Sequence, residues 1–156
     1  MYDIKQRDIF SKTWMLFHQA SDAAHRAASK KLRSASVSLE QALALFVLSR
    51  SSSPPTRTEI SRVLMRKPQT ITSLLHGMQK AGLIARIKDD RNKKLVRVVM
   101  TQKGKETWKQ IVKSHLATEL ISSLTSEEFN QLNIILEKLL HAALAELDGG
   151  RYPEAI

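Results

Sequence analysis

The stretch RIKDDRNKKLVRVVMTQKG, residues 86–104, decides how the rest of the chain is read. It holds the polar run KDDRNKK between two apolar, β-rich runs, residues 83–87 and 95–100, a pattern that predicts a hairpin with a protruding tip. Thr101, just beyond, has the side chain of a helix N-cap, so the second strand should pass directly into a helix. Two adjacent acids, Asp89 and Asp90, lie in the middle of this otherwise basic tip and need a role.

Upstream of the hairpin the sequence predicts two short helices. Thr56 and Glu59 form a capping box that opens the helix RTEISRVL, with Ile60, Val63 and Leu64 facing inward. After an MRK turn, Pro68 stands where a first helical residue would, its missing N–H harmless there. Ile71, Leu74, Leu75 and Met78 follow at i, i+3, i+4 and i+7, one apolar stripe on a helix that stops at Gly82. Two short helices joined by a tight turn are a helix-turn-helix, and a hairpin after one is a wing.

The flanks read as longer helices. Ile9, Thr13, Phe17, Ala20, Ala24, Ala27 and Ala28 recur at three- and four-residue steps, giving one helix over 5–32. Ser38 and Gln41 make a second capping box for a largely buried helix over 38–50, which SSSPP ends. Downstream, a helix over 102–122 precedes a last one over 126–147, opened by a third capping box, Thr125 with Glu128. That last helix carries Phe129, Leu132, Ile135, Leu136, Leu139, Leu140, Ala143, Leu144 and Leu147, a wider apolar face than one short neighbour can cover. The fold class expected is mainly α with a small β wing, in a single chain spanning 1–156. A winged helix-turn-helix lobe occupies 38–104, and long N- and C-terminal dimerisation helices occupy 1–32 and 105–147.

Charge is concentrated where the motif is. The chain has 156 residues and a net charge of +10. Residues 1–52 carry +4, residues 53–105 carry +10 and residues 106–156 carry −4. A central third holding the equivalent of the whole excess is the footprint of a polyanion-binding module, although a solvated basic face would give the same count. With no cysteine, disulfides, Cys-ligated zinc and thiol redox sensing are excluded. The longest apolar run, ALALFVL at 42–48, is far short of the roughly 20 residues of a membrane span, so a cytoplasmic protein with no membrane partner is expected.

The order of elements, together with QKAGLIARIKDDRNKKLVRVVMTQKG, resembles the MarR family of winged-helix transcription regulators. That family shows Leu-x-x-x-Gly-Leu-Ile-x-Arg leaving the recognition helix, Asp-x-Arg in the wing and Leu-Thr-x-x-Gly after the second wing strand. Here these read MQKAGLIAR over 78–86, Asp89-Asp90-Arg91, and Met100-Thr101-Gln102-Lys103-Gly104. Met78 and Met100 replace the usual Leu, both mild swaps of similar volume.

The outward face of the recognition helix offers Gln69, Thr70, Thr72, Ser73 and His76, short hydrogen-bonding side chains suited to base edges and phosphates. Arg57, Thr58, Lys67 and Lys80 suit the DNA backbone, setting register without reading sequence. At the tip, Arg91, Asn92, Lys93 and Lys94 can enter or flank a minor groove, where a narrow A·T-rich tract attracts Arg. The resemblance singles out Arg91 as the minor-groove residue and Asp89 as its organiser. A carboxylate two residues away can hold a flexible guanidinium in one rotamer. Asp90, Arg86 and Arg97 are further candidates for that ionic lattice.

The resemblance also implies an intertwined homodimer on a pseudo-palindromic operator, acting as a repressor. It further implies a small aromatic ligand held between the lobes, with Trp14, Phe17, His18 and Trp108 as candidate walls. No enzyme chemistry is expected: a Gly-rich phosphate loop, Gly-x-Ser-x-Gly and a cysteine nucleophile are all absent. No cofactor is expected, and no metal, since His18 and His25 stand two turns apart, about 10 Å along the helix. Two other readings stay open from the residues alone, a low-specificity architectural DNA-binding protein and a winged-helix module that meets an acidic protein.

Overall fold

The structure, a computed structural model, describes residues 4–114 and 118–148. Its elements run α1 (Ile4–Leu32), a 3-10 turn (Arg33–Ala35), α2 (Leu39–Arg50), α3 (Arg57–Val63), α4 (Pro68–Lys80), β1 (Ile84–Lys88), β2 (Val96–Met100), α5 (Gln102–Lys113), α6 (Thr118–Ile121) and α7 (Ser126–Asp148). The chain is mainly helical with one antiparallel two-stranded wing, in which Ile84 pairs with Met100 and Lys88 with Val96.

Each capping box places its helix. The Ser38 hydroxyl accepts from the Gln41 N–H at 3.2 Å while the Gln41 side chain accepts from the Ser38 N–H at 2.9 Å. Thr56 with Glu59 and Thr125 with Glu128 repeat the reciprocal pattern at α3 and α7. Glu59 and Glu128 are both held below the ordinary carboxylate range, first by the N–H of the cap residue each accepts from.

The turn between α3 and α4 is a Schellman closure. The Arg66 N–H donates to the Ser61 carbonyl and the Met65 N–H to the Arg62 carbonyl, both at 3.1 Å, with Met65 at φ 51°. The Ser61 hydroxyl, buried, donates to the Arg66 carbonyl at 2.6 Å and ties the turn a third time. Helix α4 ends the same way, with the Leu83 N–H on the Met78 carbonyl at 2.9 Å and the Gly82 N–H on Gln79 at 3.0 Å. Here the left-handed residue is Gly82, at φ 75°, and Lys103 Nζ donates to the Ala81 carbonyl at 2.8 Å.

At the far end of the hairpin Thr101 caps α5, accepting from the Gly104 N–H at 3.1 Å and donating to the Gly82 carbonyl at 2.6 Å. A Cβ on Gly104 would stand 2.0 Å from the Leu83 carbonyl oxygen, so only glycine lets α5 start this close to the end of α4. Leu32, Leu45, Ile60, Ile71, Leu75, Met78, Ile84, Val98 and Ile111 form the core of this lobe, and Trp108 packs on its edge.

The helix expected over 102–122 is divided. Helix α5 ends at Lys113, where the Ser114 hydroxyl donates to the Ile111 carbonyl at 2.7 Å and competes with the continuing ladder. Residues 115–117, with His115, lie outside the described residues, and α6 is a separate short helix. Lys31 of α1 forms an ion pair with Glu119 of α6.

The long terminal helices leave apolar side chains in the open. On α1, Ile9, Phe10, Trp14, Met15, Leu16 and Phe17 are exposed, Trp14 at 68%. Among the described side chains of α7 only Leu144 is buried, at 5%, whereas Leu147 is exposed at 74%. No helix among the described residues is long and apolar enough to cross a membrane.

Candidate nucleic-acid interface

Burying Ile71, Leu75 and Met78 turns the other face of α4 outward, and Gln69, Thr70, Thr72, Ser73 and His76 are all exposed on it. Lys67 and Lys80, at its two ends, are exposed as well, as are Arg57 and Thr58 in the first turn of α3. Thr72 differs from its neighbours. Its hydroxyl donates to the Pro68 carbonyl at 2.8 Å and accepts from the Arg57 guanidinium at 2.9 Å. A hydroxyl has one proton, so Thr72 has no donor left for a base and can only accept. Arg57 and Thr72 therefore lock α3 to α4, and the remaining Arg57 N–H groups stay available.

In the wing, Asp89 is the organiser, but of different groups from those expected. Its Oδ1 accepts from the backbone N–H of Arg91 at 2.9 Å and of Asn92 at 2.7 Å. Its Oδ2 is ion-paired with Nε of Arg97, on β2. The Arg97 guanidinium beside it, then the two amides, hold this carboxyl below its ordinary value, and Arg97 is raised in return. Asp89 thus fixes the loop that carries Arg91 and leaves the Arg91 guanidinium free to project. The expectation that it grips the side chain is corrected, because the carboxylate sits at the loop base, where Arg97 is closer.

The tip closes on itself through Asn92, whose side-chain oxygen accepts from the Lys94 N–H at 3.1 Å and whose carbonyl accepts from Leu95 at 2.8 Å. Arg91, Asn92, Lys93 and Lys94 are all exposed. Asp90 faces water and, among the described residues, reaches only Lys93, at 3.9 Å, so it joins neither Arg86 nor Arg97. Arg86 is exposed on β1, outside the ionic cluster.

Arg97 also carries a link that spacing does not reveal. Its NH1 donates to the Pro54 carbonyl at 2.7 Å, the Val98 N–H donates to the Pro55 carbonyl at 2.8 Å, and Thr56 forms an isolated antiparallel bridge with Arg97. The wing is therefore bonded to the segment that caps α3, and through Arg57 and Thr72 to α4.

The four side chains expected around a ligand do not converge. Trp14 meets Phe17 at 6.0 Å between ring centroids, and Trp108 meets Phe46 at 6.0 Å. His18, like Trp14 and Phe17, is exposed on α1. Among the described residues no cluster of His, Asp and Glu could hold a metal ion.

An outward helix after a tight turn, braced by a charged hairpin, defines a winged helix-turn-helix fold. Residues 35–95 match the MarR family model. The transcriptional activatory protein BadR of Rhodopseudomonas palustris is 21% identical over 135 residues, covering 85% of this chain and 77% of that protein. The organohalide-sensing RdhR regulator in its 2,4-dichlorophenol-bound form superposes with a TM-score of 0.79 at 23% identity, covering 95% of this chain and 90% of that one. A mutant MarR from E. coli complexed with operator DNA gives 0.75 at 23% identity, covering 89% and 99%. The family match thus covers the helix-turn-helix together with the first strand and tip of the wing, and the solved structures share the fold of the chain.

Proposed function

We propose that two copies of this chain form a homodimer that represses transcription by occupying a pseudo-palindromic operator, and that a small aromatic ligand releases it. The observation that carries the reading is the bonded frame from Asp89 through Arg97, Pro54 and Thr56 to Arg57 and Thr72. It holds the exposed face of α4 and the tip carrying Arg91 in one orientation. In this reading Gln69, Thr70, Ser73 and His76 address base edges in the major groove, and Arg91, flanked by Asn92, Lys93 and Lys94, enters the minor groove. Arg57, Thr58, Lys67 and Arg86 contact phosphates.

The exposed apolar residues of α1 and α7 supply the dimer surface. Two recognition helices related by a two-fold then meet major grooves about 34–36 Å apart. Exposed Trp14, Phe17 and His18, with Trp108 on the lobe edge, are the side chains a dimer would enclose around a ligand.

Selection of bound sequences from random duplex DNA tests binding, specificity and two-fold spacing together. A repeated inverted motif, with at least ~10³-fold preference over random duplex, is expected. Enrichment without a motif supports an architectural protein, and no enrichment an acidic protein partner. The name of the BadR relative favours a second sign of regulation, activation, and a promoter fusion with and without the gene separates the two.

A further inference from the structure

Helix α4 carries a glycine, Gly77, on its exposed side, one turn before the C-cap Ala81 and between the buried Leu75 and Met78. Glycine is the poorest helix former after proline, because it frees the unfolded chain and leaves the helix backbone bare. A fold keeps it where φ is positive or where neighbouring atoms leave no room for a Cβ. Neither applies to Gly77. Positive φ among the described residues falls at Ser36, Met65 and Gly82. A Cβ on Gly77 would meet nothing within 4 Å, whereas one on Gly104 would strike the Leu83 carbonyl.

A glycine that weakens its helix and serves nothing among the described residues points to a body outside them that comes closer than a side chain allows. The surrounding charges say of which kind. Helix α4 contains no acidic residue. Lys80, three residues on and on the same side, is exposed and makes no hydrogen bond or ion pair among the described residues. Lys103 of α5 donates to the Ala81 carbonyl, which offsets the partial negative charge at this end of the helix. Ser73, one turn before Gly77, is exposed as well. The approaching body is therefore an anion, and a stiff one. An acidic side chain is mobile enough to yield to one methyl group, whereas the phosphates of a duplex are held in line by a stiff double helix.

We propose that Gly77 is the point at which a DNA phosphate passes against the bare backbone of α4, with Lys80 as its counter-charge. The missing Cβ then sets how deeply the recognition helix sits in the major groove, and with it the reach of Ser73 and His76 to base edges. Gly77 is in this sense a positioning residue: it touches no base, yet a methyl group there would hold every base contact of the helix at a greater distance. The proposal rests on the DNA-binding reading and adds to it a point of closest approach.

The test uses the full-length protein and a duplex recovered by selection from random DNA. Gly77→Ala should raise the urea midpoint of the free protein, since the added Cβ has room and favours the helix. The same substitution should weaken binding of the duplex by about tenfold or more. Lys80→Gln should reduce the slope of log affinity against log salt by about 1 for each half-site contacted. A series of duplexes, each lacking one backbone phosphate, then locates the contact: at one position in a half-site Gly77→Ala, Lys80→Gln and the unaltered protein should bind alike. Unchanged affinity in Gly77→Ala, a lowered urea midpoint, or a deficit that no missing phosphate relieves would each overturn the proposal and leave the DNA-binding reading standing. An unaltered protein that retains no duplex would overturn both.

Discussion

At the residue scale, Asp89 shows how one carboxylate serves three partners in an exposed loop. Its charge is needed, because Arg97 and two amide dipoles all address the ionised form. The unfolded chain takes up the proton near the ordinary value of 3.8, and the folded chain at a lower pH. Between those values the unfolded state binds more protons, so this contribution is complete at neutral pH and is lost as pH falls through the folded value. The amide shifts of Arg91 and Asn92 should therefore hold steady down to below pH 3.8 and move only under stronger acid; in Asp89→Asn they should be displaced at neutral pH and lack that transition. For Arg91→Ala the expected loss is about 1–3 kcal/mol of specific DNA affinity, with weaker preference at positions flanking the major-groove contacts, read by binding to operator variants. The Asp89-x-Arg91 spacing made the pair visible in the sequence. Arg97, eight residues on and across the hairpin, is reached only through strand register, so its role as Asp89's partner could not be singled out from spacing.

At the element scale, the two turns that bound the recognition helix use the same closure with different residues. Gly82 announces its left-handed position by being glycine, and the helix stop was legible for that reason. Met65 occupies the equivalent position at the end of α3 with no such signal. A left-handed non-glycine residue costs roughly 1–2 kcal/mol, whereas glycine adds freedom to the unfolded chain. Met65→Gly should therefore raise stability by about 0.5–1 kcal/mol, seen as a higher urea midpoint at unchanged slope. The capping boxes and the i, i+3, i+4, i+7 stripe made α2, α3, α4 and α7 readable because each is a local device. The early end of α5 was not readable, because Ser114 is tolerated within a helix as readily as it ends one.

At the scale of the whole molecule, the apolar face of α7 is the surface that the proposed homodimer would cover. A surface that exposes Phe129, Leu132, Ile135, Leu136, Leu139 and Leu140 along one helix is well beyond scattered apolar exposure. Ending the chain at Leu124 should give a monomer or a misfolded species by light scattering and circular dichroism, and a stable monomer that still binds DNA would overturn the homodimer. The breadth of that face was plain from the sequence, since nine apolar positions recur at helical steps, whereas which lobe covers it is a property of assembly. The hydrogen-bonded path from wing to recognition helix carries one more consequence. Wing and helix behave as the two jaws of a fixed caliper, whose opening is set by protein and not by the DNA it measures. One extra base pair between the major-groove core of a half-site and its flanking A·T tract displaces the tract by about 3.4 Å and turns it by roughly 35°. The jaws cannot open to follow. If the proposed homodimer holds, its operators should therefore tolerate changes in spacing between half-sites far better than any insertion inside one.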